Sequence, residues 1–388
     1  MKILLDCRFK KGAGPNVATL YMLDELIRLN TKHEFIVLHN PNQSLPEYPG
    51  VEKLVVPVKS NFLEFLWVQF YLPKLFEKLK IDIYHSLKHV SPLFTKIPTI
   101  EYIHEVGHFF SEGLEAFNLS LANRIYHYHL KGWSMRRATH IIGTSQQCEK
   151  VLHQKLGISK EKISTIRYGL DKKFRVIDDR GKIVECCQRY GLPESYILCV
   201  GNICAQENYD SVIKMYSKLR SQNENAPKLV LVGDTGNAES DFLELMKQLG
   251  LNEDVILTGF VEHRDLVYIY NGANLLLFPP TVAAFGIPPI EAMACGIPVV
   301  ASNIDAIPEI SGEGAALLFD EPRNVDKMLE AVNLVLHDHQ LRQELRNKGF
   351  ERAKEFSWEA SALRVLDLYE IIGREKICNL HSAGSYSI

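Results

Sequence analysis

The sequence predicts an α/β protein made of two doubly wound, Rossmann-like domains, and three observations lead there. Short β-branched runs alternate with amphipathic helical stretches along the chain. The runs are apolar nearly throughout rather than at every second residue, which suits parallel strands covered on both faces. The alternation also lapses at a polar stretch, LDKKFRVIDDRGK (170–182), and then restarts, as two units of one kind would. A length of 388 residues fits two such domains.

In the first half the predicted strands are 2–6 (KILLD), 34–39 (EFIVLH), 53–58 (KLVVPV), 82–86 (DIYHS), 99–105 (TIEYIHE), 139–145 (THIIGTS) and 162–169 (KISTIRYG). Helical periodicity covers 16–29 and, as one helix, 62–79. In the second half strands are expected at 196–202, 228–234, 255–260, 274–280, 297–302 and 315–320, with helices between them. The domains are read as 1–172 and 183–355. The closing segment, 356–388, carries a helix at 358–373 that crosses back to the first domain, and ends in a frayed tail, HSAGSYSI. Ligands of doubly wound sheets bind beyond the carboxyl ends of the strands, so the site is expected in the cleft between the two domains.

Composition removes several classes. The chain is 46% hydrophobic and 23% charged, ordinary for a soluble globular protein. A formal net charge of -3 argues against a nucleic-acid partner. No apolar run approaches the ~20 residues of a membrane span, and the N-terminus, MKILLDCRFK, reads as a first strand rather than a signal peptide. The eight cysteines form no C-x-x-C pair and several lie inside strand-like runs. They read as small buried hydrophobes of a reducing, cytoplasmic compartment. His127 and His129 lie two residues apart, a spacing that does not place both on one helix face, so no metal is expected there.

Four loops could receive an anionic ligand. The first, DCRFKKGAGPNVATL (6–20), carries Gly12 and Gly14 and places Pro15 at a helix start. Free amides at such a start favour an anion such as a diphosphate. The G-x-G-x-x-G fingerprint is not present, since Val17 holds the third glycine position. The second is VGNICAQENYDSVI (200–213), with Gly201 and Asn202 at the strand end. The third contains Gly259, Phe260 and Val261, whose main chain could hold a base edge. The fourth is AAFGIPPIEAMACGIP (283–298), where amides around Phe285, Gly286 and Ile287 could cradle an anion. Pro288 and Pro289 are tolerated at its helix start. Glu291 follows one turn in, suited to ribose hydroxyls; its plainer reading is a first-turn glutamate on the helix dipole.

These loops occur in an order that resembles a known family. A G-x-G after the first strand is followed by HE after TIEYI, then RRATHIIGTSQQCEKVL, IRYGLD, VGN…EN, VILTGFV, FGIPPIEAMACGIPVVAS and FSWE. The pattern is similar to the family 4 retaining glycosyltransferases of the GT-B fold, over about residues 1–372. The resemblance implies a retaining hexosyltransferase. It would move a hexose from a nucleotide diphosphate sugar, UDP-glucose-like, to a glycan or lipid-linked acceptor in polysaccharide or cell-envelope biosynthesis. It implies no bound metal and no protein nucleophile, the leaving phosphate helping to deprotonate the acceptor. By the same resemblance Glu291 is placed on ribose, Phe285–Ile287 on sugar and phosphate, Gly14 near the diphosphate, and His104 beside the transferred sugar as the catalytic candidate. His104 also reads as a strand-end histidine in an ordinary hydrogen bond, and Glu105 and His108 are neighbouring alternatives.

Two departures stand out. The first glutamate of the family's E-x7-E motif is here Ala283, and the cation pair expected against the diphosphate is here Gln206 and Glu207. Charge-assisted hydrogen bonds of that kind are worth roughly 1.5–3 kcal/mol each. Arg8, Lys10, Lys11 and Arg264 are the candidate replacements, and Glu207 could point to solvent at the following helix start. The second function consistent with these departures is a weakly active or inactive sugar-nucleotide-binding homologue that acts as a partner or regulatory subunit. The stretch FLEFLWVQFYLPKLFEKLK (62–80) is aromatic-rich with lysines toward its end, a candidate for peripheral contact with the inner face of the cytoplasmic membrane. Its plainer reading is a core-facing helix.

Overall fold

The structure is a computed structural model that describes residues 1–9, 14–43, 45–57, 61–88, 90–104, 106, 126–234 and 239–384. The chain divides into two units, one of Met1–Gly169 with Ser357–Ile388, the other of Leu170–Phe356.

In unit 1 the described elements are β1 (Lys2–Asp6), α1 (Gly14–Leu29), β2 (Glu34–His39), β3 (Glu52–Val55), α2 (Asn61–Phe70), α3 (Leu72–Leu79), β4 (Ile83–Ser86), β5 (Thr99–Ile103), α4 (Lys131–Arg137), β6 (His140–Gly143), α5 (Gln146–Leu156) and β7 (Ile163–Thr165). All strand pairs run parallel, in the order β3-β2-β1-β4-β5-β6-β7. The order reverses between β1 and β4, the position where doubly wound sheets open a crevice for ligands. The central strands are buried on both faces: Ile3, Leu4, Leu5, Ile83, Tyr84, Ile100 and Tyr102 have no exposed surface.

Unit 2 repeats the plan with α6 (Arg180–Arg189), β8 (Tyr196–Val200), α7 (Tyr209–Gln222), β9 (Lys228–Val232), α8 (Glu239–Gln248), β10 (Val255–Gly259), α9 (His263–Gly272), β11 (Leu275–Phe278), α10 (Ile287–Ala294), β12 (Val299–Ser302), α11 (Ile307–Ser311), β13 (Leu317–Phe319), α12 (Val325–His337) and α13 (His339–Ala353). Its parallel order is β10-β9-β8-β11-β12-β13, reversing between β8 and β11. The closing helix α14 (Trp358–Gly384) belongs to unit 1. Its Trp358 ring stacks on Tyr21 of α1 at 5.7 Å, and its buried Tyr369 hydroxyl meets His85 Nδ1 on β4 at 2.5 Å.

Two elements differ from the sequence reading. The helix expected over 62–79 is two helices, α2 and α3, separated at Tyr71. Pro73 causes the break, because it has no N–H to give the Gln69 carbonyl and its ring crowds the preceding turn. Of the tail expected to fray over 381–388, residues 381–384 continue the closing helix, and 385–388 lie outside the described residues. Most predicted strands also overran their carboxyl ends: Gly201, Asn202, Gly233, Asp234, Pro279 and Pro280 lie beyond the strands. No helix of the described residues is long and apolar enough to cross a membrane. Seven described cysteines are free, six of them buried.

One buried carboxyl in unit 1 bears on stability. Glu101 of β5 is fully buried and accepts the hydroxyls of Ser91 and Ser134, while its Oε2 has no partner. Burial pushes its carboxyl up to about 7, against roughly 4.3 in an unfolded chain. The folded state therefore holds the proton more tightly, so this contribution is full below pH ~4.3 and is lost as pH rises through about 7. Thermal unfolding followed between pH 5 and 8 should show a shallower decline for Glu101→Gln than for the parent; equal slopes would show that the carboxyl does not titrate there.

Candidate functional site

The carboxyl edge of unit 1 is held by a buried charge cluster. Arg8, 2% exposed, donates from Nε to Asp6 Oδ1 at 2.8 Å and from a terminal nitrogen to Asp6 Oδ2 at 2.6 Å. Its guanidinium lies 4.2 Å over the Trp67 ring and 3.9 Å from Glu64, which also pairs with Lys88. Tyr84 of β4 donates its hydroxyl to Asp6 at 2.9 Å. Burial alone would raise the Asp6 carboxyl, yet the charges of Arg8 and Lys88 hold it down at about 2. Arg8 is thus committed to Asp6 within unit 1 and does not stand as an uncommitted cation.

His104 follows β5 and is 5% exposed. Its Nδ1 meets the Tyr168 hydroxyl, and its Nε2 lies 2.7 Å from the Leu87 carbonyl and 3.4 Å from the Thr19 hydroxyl. A carbonyl only accepts, so this network assigns the proton to Nε2 and leaves Nδ1 to accept from Tyr168. The edge of the ring packs against Tyr102 at 4.9 Å. The arrangement holds the imidazole in one tautomer and one orientation. Gly14 opens α1. Lys10, Lys11, Glu105 and His108 lie outside the described residues.

In unit 2 the sheet gathers the predicted loops at its switch point. The Gly201 amide donates to Val232, and the Gly233 amide to the Gly259 carbonyl at 3.1 Å, so the ends of β8, β9 and β10 lie side by side. A Cβ on Gly233 would fall 2.0 Å from the Gly201 carbonyl oxygen, so only glycine permits this approach. Across the switch point, the Thr281 amide donates to the Gln206 carbonyl at 2.8 Å, which ties the loop after β8 to the loop after β11. Asn202 is exposed and accepts the Asp234 amide at 3.3 Å. Val261 is buried, whereas Phe260 is 76% exposed.

The fourth loop is tightly built. Gly286 caps α10 with φ 127°, and a Cβ there would meet Ile307 at 2.9 Å, so the turn depends on glycine. Phe285 is buried against Phe356, and Ile287 is the first residue of α10. Ala283 donates its amide to Asp305 at 3.0 Å. Glu291 is 6% exposed and accepts the Tyr270 hydroxyl at 2.8 Å. Burial pushes its carboxyl up to about 7, against the Tyr270 hydrogen bond and the nearby Lys173 charge. It is therefore a buried, oriented acceptor rather than an exposed first-turn glutamate.

One further expectation needs correction. Glu207 does not point to solvent: its Oε2 is buried, without a partner, and its carboxyl lies against the Gly201 backbone. Arg264 is exposed at the start of α9 and pairs locally with Glu262 at 2.7 Å. Sequence reasoning gave no role to Asp171 or Lys173, whose charges act on Glu291; Asp171 closes the IRYGLD motif, and no pattern marks Lys173. It also missed Asp305 and Tyr270. Tyr270 could have been found, because it lies on the buried stripe of α9 facing α10.

The comparisons with known proteins agree with this geometry. The model of "Glycosyltransferase Family 4" matches residues 13–174, and that of "Glycosyl transferases group 1" matches residues 190–352. The serotype-specific mannosyltransferase WbdA of Escherichia coli is 28% identical over 229 residues, 58% of this chain and 28% of that protein. The O-antigen chain mannosyltransferase B of Escherichia coli is 31% identical over 187 residues, 48% of each chain. The chain thus spans less than half the length of these two curated relatives. Among solved structures, sucrose-phosphate synthase of Thermosynechococcus elongatus superposes with TM-score 0.75 at 20% identity, covering 96% of this chain and 98% of that one. HepE of Anabaena, solved with UDP-glucose, does so with TM-score 0.74 at 17% identity, covering 95% and 99%. The fold is that of the GT-B glycosyltransferases. From both matched models and the loops they span, the chain belongs to the family 4, group 1 glycosyltransferases.

Proposed function

We propose that the chain is a retaining hexosyltransferase that takes a nucleotide diphosphate sugar, UDP-glucose-like, and extends a glycan or lipid-linked acceptor. The observation that carries this reading is the assembly at the switch point of unit 2: the Gly201–Gly233 contact, the Gly286 turn opening α10, and the buried, oriented Glu291. Backbone amides at a helix start favour a phosphate, and Glu291 has the acceptor chemistry for ribose hydroxyls. The names of the relatives support surface-polysaccharide assembly, and HepE's bound donor supports UDP.

In the proposed transfer the bond from the anomeric carbon to the diphosphate oxygen breaks. The acceptor oxygen bonds to the same face of that carbon, and the acceptor's proton passes to the departing phosphate. The step needs no bound metal and no protein nucleophile. His104 orients the transferred sugar by offering its Nε2–H to a hydroxyl in place of the Leu87 carbonyl. Positioning and electrostatic stabilisation then supply the catalysis.

A second reading, a sugar-nucleotide-binding homologue with little or no transfer, is favoured by one observation. Gln206 and the buried carboxyl of Glu207 stand at the positions where the family carries its cation pair. Calorimetry with UDP, GDP and ADP and their sugars, followed by donor hydrolysis, separates the readings: binding with turnover supports the enzyme, and binding alone supports the homologue. Glu291→Ala should weaken nucleotide binding by about tenfold or more, the loss of a hydrogen bond to a charged group. His104→Ala should leave binding within about twofold and lower transfer by roughly tenfold or more. Unaltered transfer removes His104 from the site.

The aromatic stretch supports work at the cytoplasmic face of a membrane. Phe62, Leu63, Phe70 and Tyr71 are all more than half exposed, and Lys74, Lys78 and Lys80 are exposed beside them. Aromatic and basic side chains together suit an anionic bilayer surface. The protein should co-sediment with vesicles containing phosphatidylglycerol, and the double change Phe70→Asp, Tyr71→Asp should release it. Equal sedimentation of both proteins argues against this face as the contact.

A further inference from the structure

The loop after β12 carries a carboxyl that the proposed chemistry does not use. Asp305 lies in the turn between β12 and α11, beyond the carboxyl end of its strand. β11 and β12 pair in parallel, so the loops that follow them lie side by side. Three hydrogen bonds join these loops. Ser302 donates its hydroxyl to the Pro280 carbonyl at 2.8 Å, the Ala306 amide donates to the Ala283 carbonyl at 3.3 Å, and Asp305 Oδ2 accepts the Ala283 amide at 3.0 Å. The carboxyl thus stands beside position 283, where the family's motif has a glutamate and this chain has a methyl group. The same segment also borders the turn that opens α10, since a Cβ on Gly286 would lie 2.9 Å from Ile307 Cδ1.

The backbone at this position is strained. Asp305 adopts φ 45°, a region where glycine sits at ease and a side chain is disfavoured. Such strain persists where the surroundings hold it in place, and it concentrates at functional sites. Fastening the Ala283 amide does not account for the residue, because any neutral oxygen acceptor does that as well. Asn303, two residues earlier, is turned the other way and donates its side-chain amide to Asp320 at 2.8 Å. Asp305 is half-buried rather than enclosed. A carboxylate has about four acceptor positions, and the Ala283 amide takes one of them.

We propose that Asp305 is a specificity-determining residue, whose carboxylate accepts hydrogen bonds from hydroxyls of the donor sugar. The inference rests on the nucleotide-sugar reading of unit 2. A hydroxyl that donates to a carboxylate makes a charge-assisted bond, stronger than one to a neutral acceptor. A sugar epimer that turns this hydroxyl away leaves the acceptor unmade, and the site rejects it. Because the carboxylate comes from the loop after β12 and not from position 283, it selects among epimers by its own geometry. No covalent bond forms through Asp305, and it neither gives nor takes a proton.

The test is calorimetry with UDP, GDP, UDP-glucose, UDP-galactose and GDP-mannose on the parent and on Asp305→Asn. The asparagine keeps an oxygen for the Ala283 amide and tolerates the positive φ, so the loops stay fastened while the carboxylate is lost. Affinity for the sugar nucleotide that the parent binds best should fall by about tenfold, while affinity for the bare nucleoside diphosphate stays within about twofold. The ratio of UDP-glucose to UDP-galactose affinity should shift as well, which a fastening role would not move. Asp305→Gly, at ease at this φ, should show the same split and serves if Asp305→Asn does not fold. Equal losses for sugar nucleotide and bare diphosphate would mark a fastening role alone and overturn the proposal, as would unaltered binding of both. Failure of the parent to bind any of these probes overturns it together with the nucleotide-sugar reading.

Discussion

The ion pair between Asp6 and Arg8 governs the carboxyl edge of unit 1. Both side chains are almost wholly buried, and each makes the other's burial tolerable. The pair does not act alone. Tyr84 joins from β4, Trp67 and Glu64 from α2, and Lys88 from the loop after β4. One set of charges therefore fixes the end of the first strand, its neighbour across the switch point, and the helix that carries the exposed aromatic face. Two of the Arg8 nitrogens donate to Asp6 and its guanidinium face lies over Trp67, so much of its bonding capacity is used inside unit 1.

Unit 2 solves the same topological problem by different means. There the strand ends are brought together by backbone contact, with Gly233 against Gly201, rather than by buried charges. The result is a surface of amides and hydroxyls with carboxyls at Glu207 and Glu291, both raised by burial. Charge there is a matter of protonation.

Much of the fold is legible in the sequence because parallel strands buried on both faces must be nearly continuous apolar runs. KILLD and EFIVLH gave their strands to the residue. The errors fall at carboxyl ends, where runs such as YILCVGN and KLVLVGD continue past the last paired residue. The Gly, Asn and Asp that close them belong to loops, and those loops carry the candidate site. Glu291 was legible because its loop has a fixed chemical grammar of glycine turn, proline pair and helix. The orientation of Glu207 was not, since whether a half-buried carboxyl turns in or out is decided by Gly201 and Tyr209 together. The commitment of Arg8 to Asp6 was equally hidden: two residues apart, they look like any solvated pair. The split of the 62–79 helix was open to view in Pro73.

Helix α14 completes unit 1 with residues that come last in the chain, after all of unit 2. On a ribosome adding roughly 5–20 residues per second, the interval between Gly169 and Trp358 is on the order of ten to forty seconds. Through that time the nascent first unit has no Tyr369 to meet His85 and no Trp358 to stack on Tyr21. The second unit is a continuous segment and has all its parts before the first one does. The half of the molecule that emerges first is thus the half that finishes last. Its unsealed face, bearing α1 and the buried end of β4, is the one most in need of protection during synthesis.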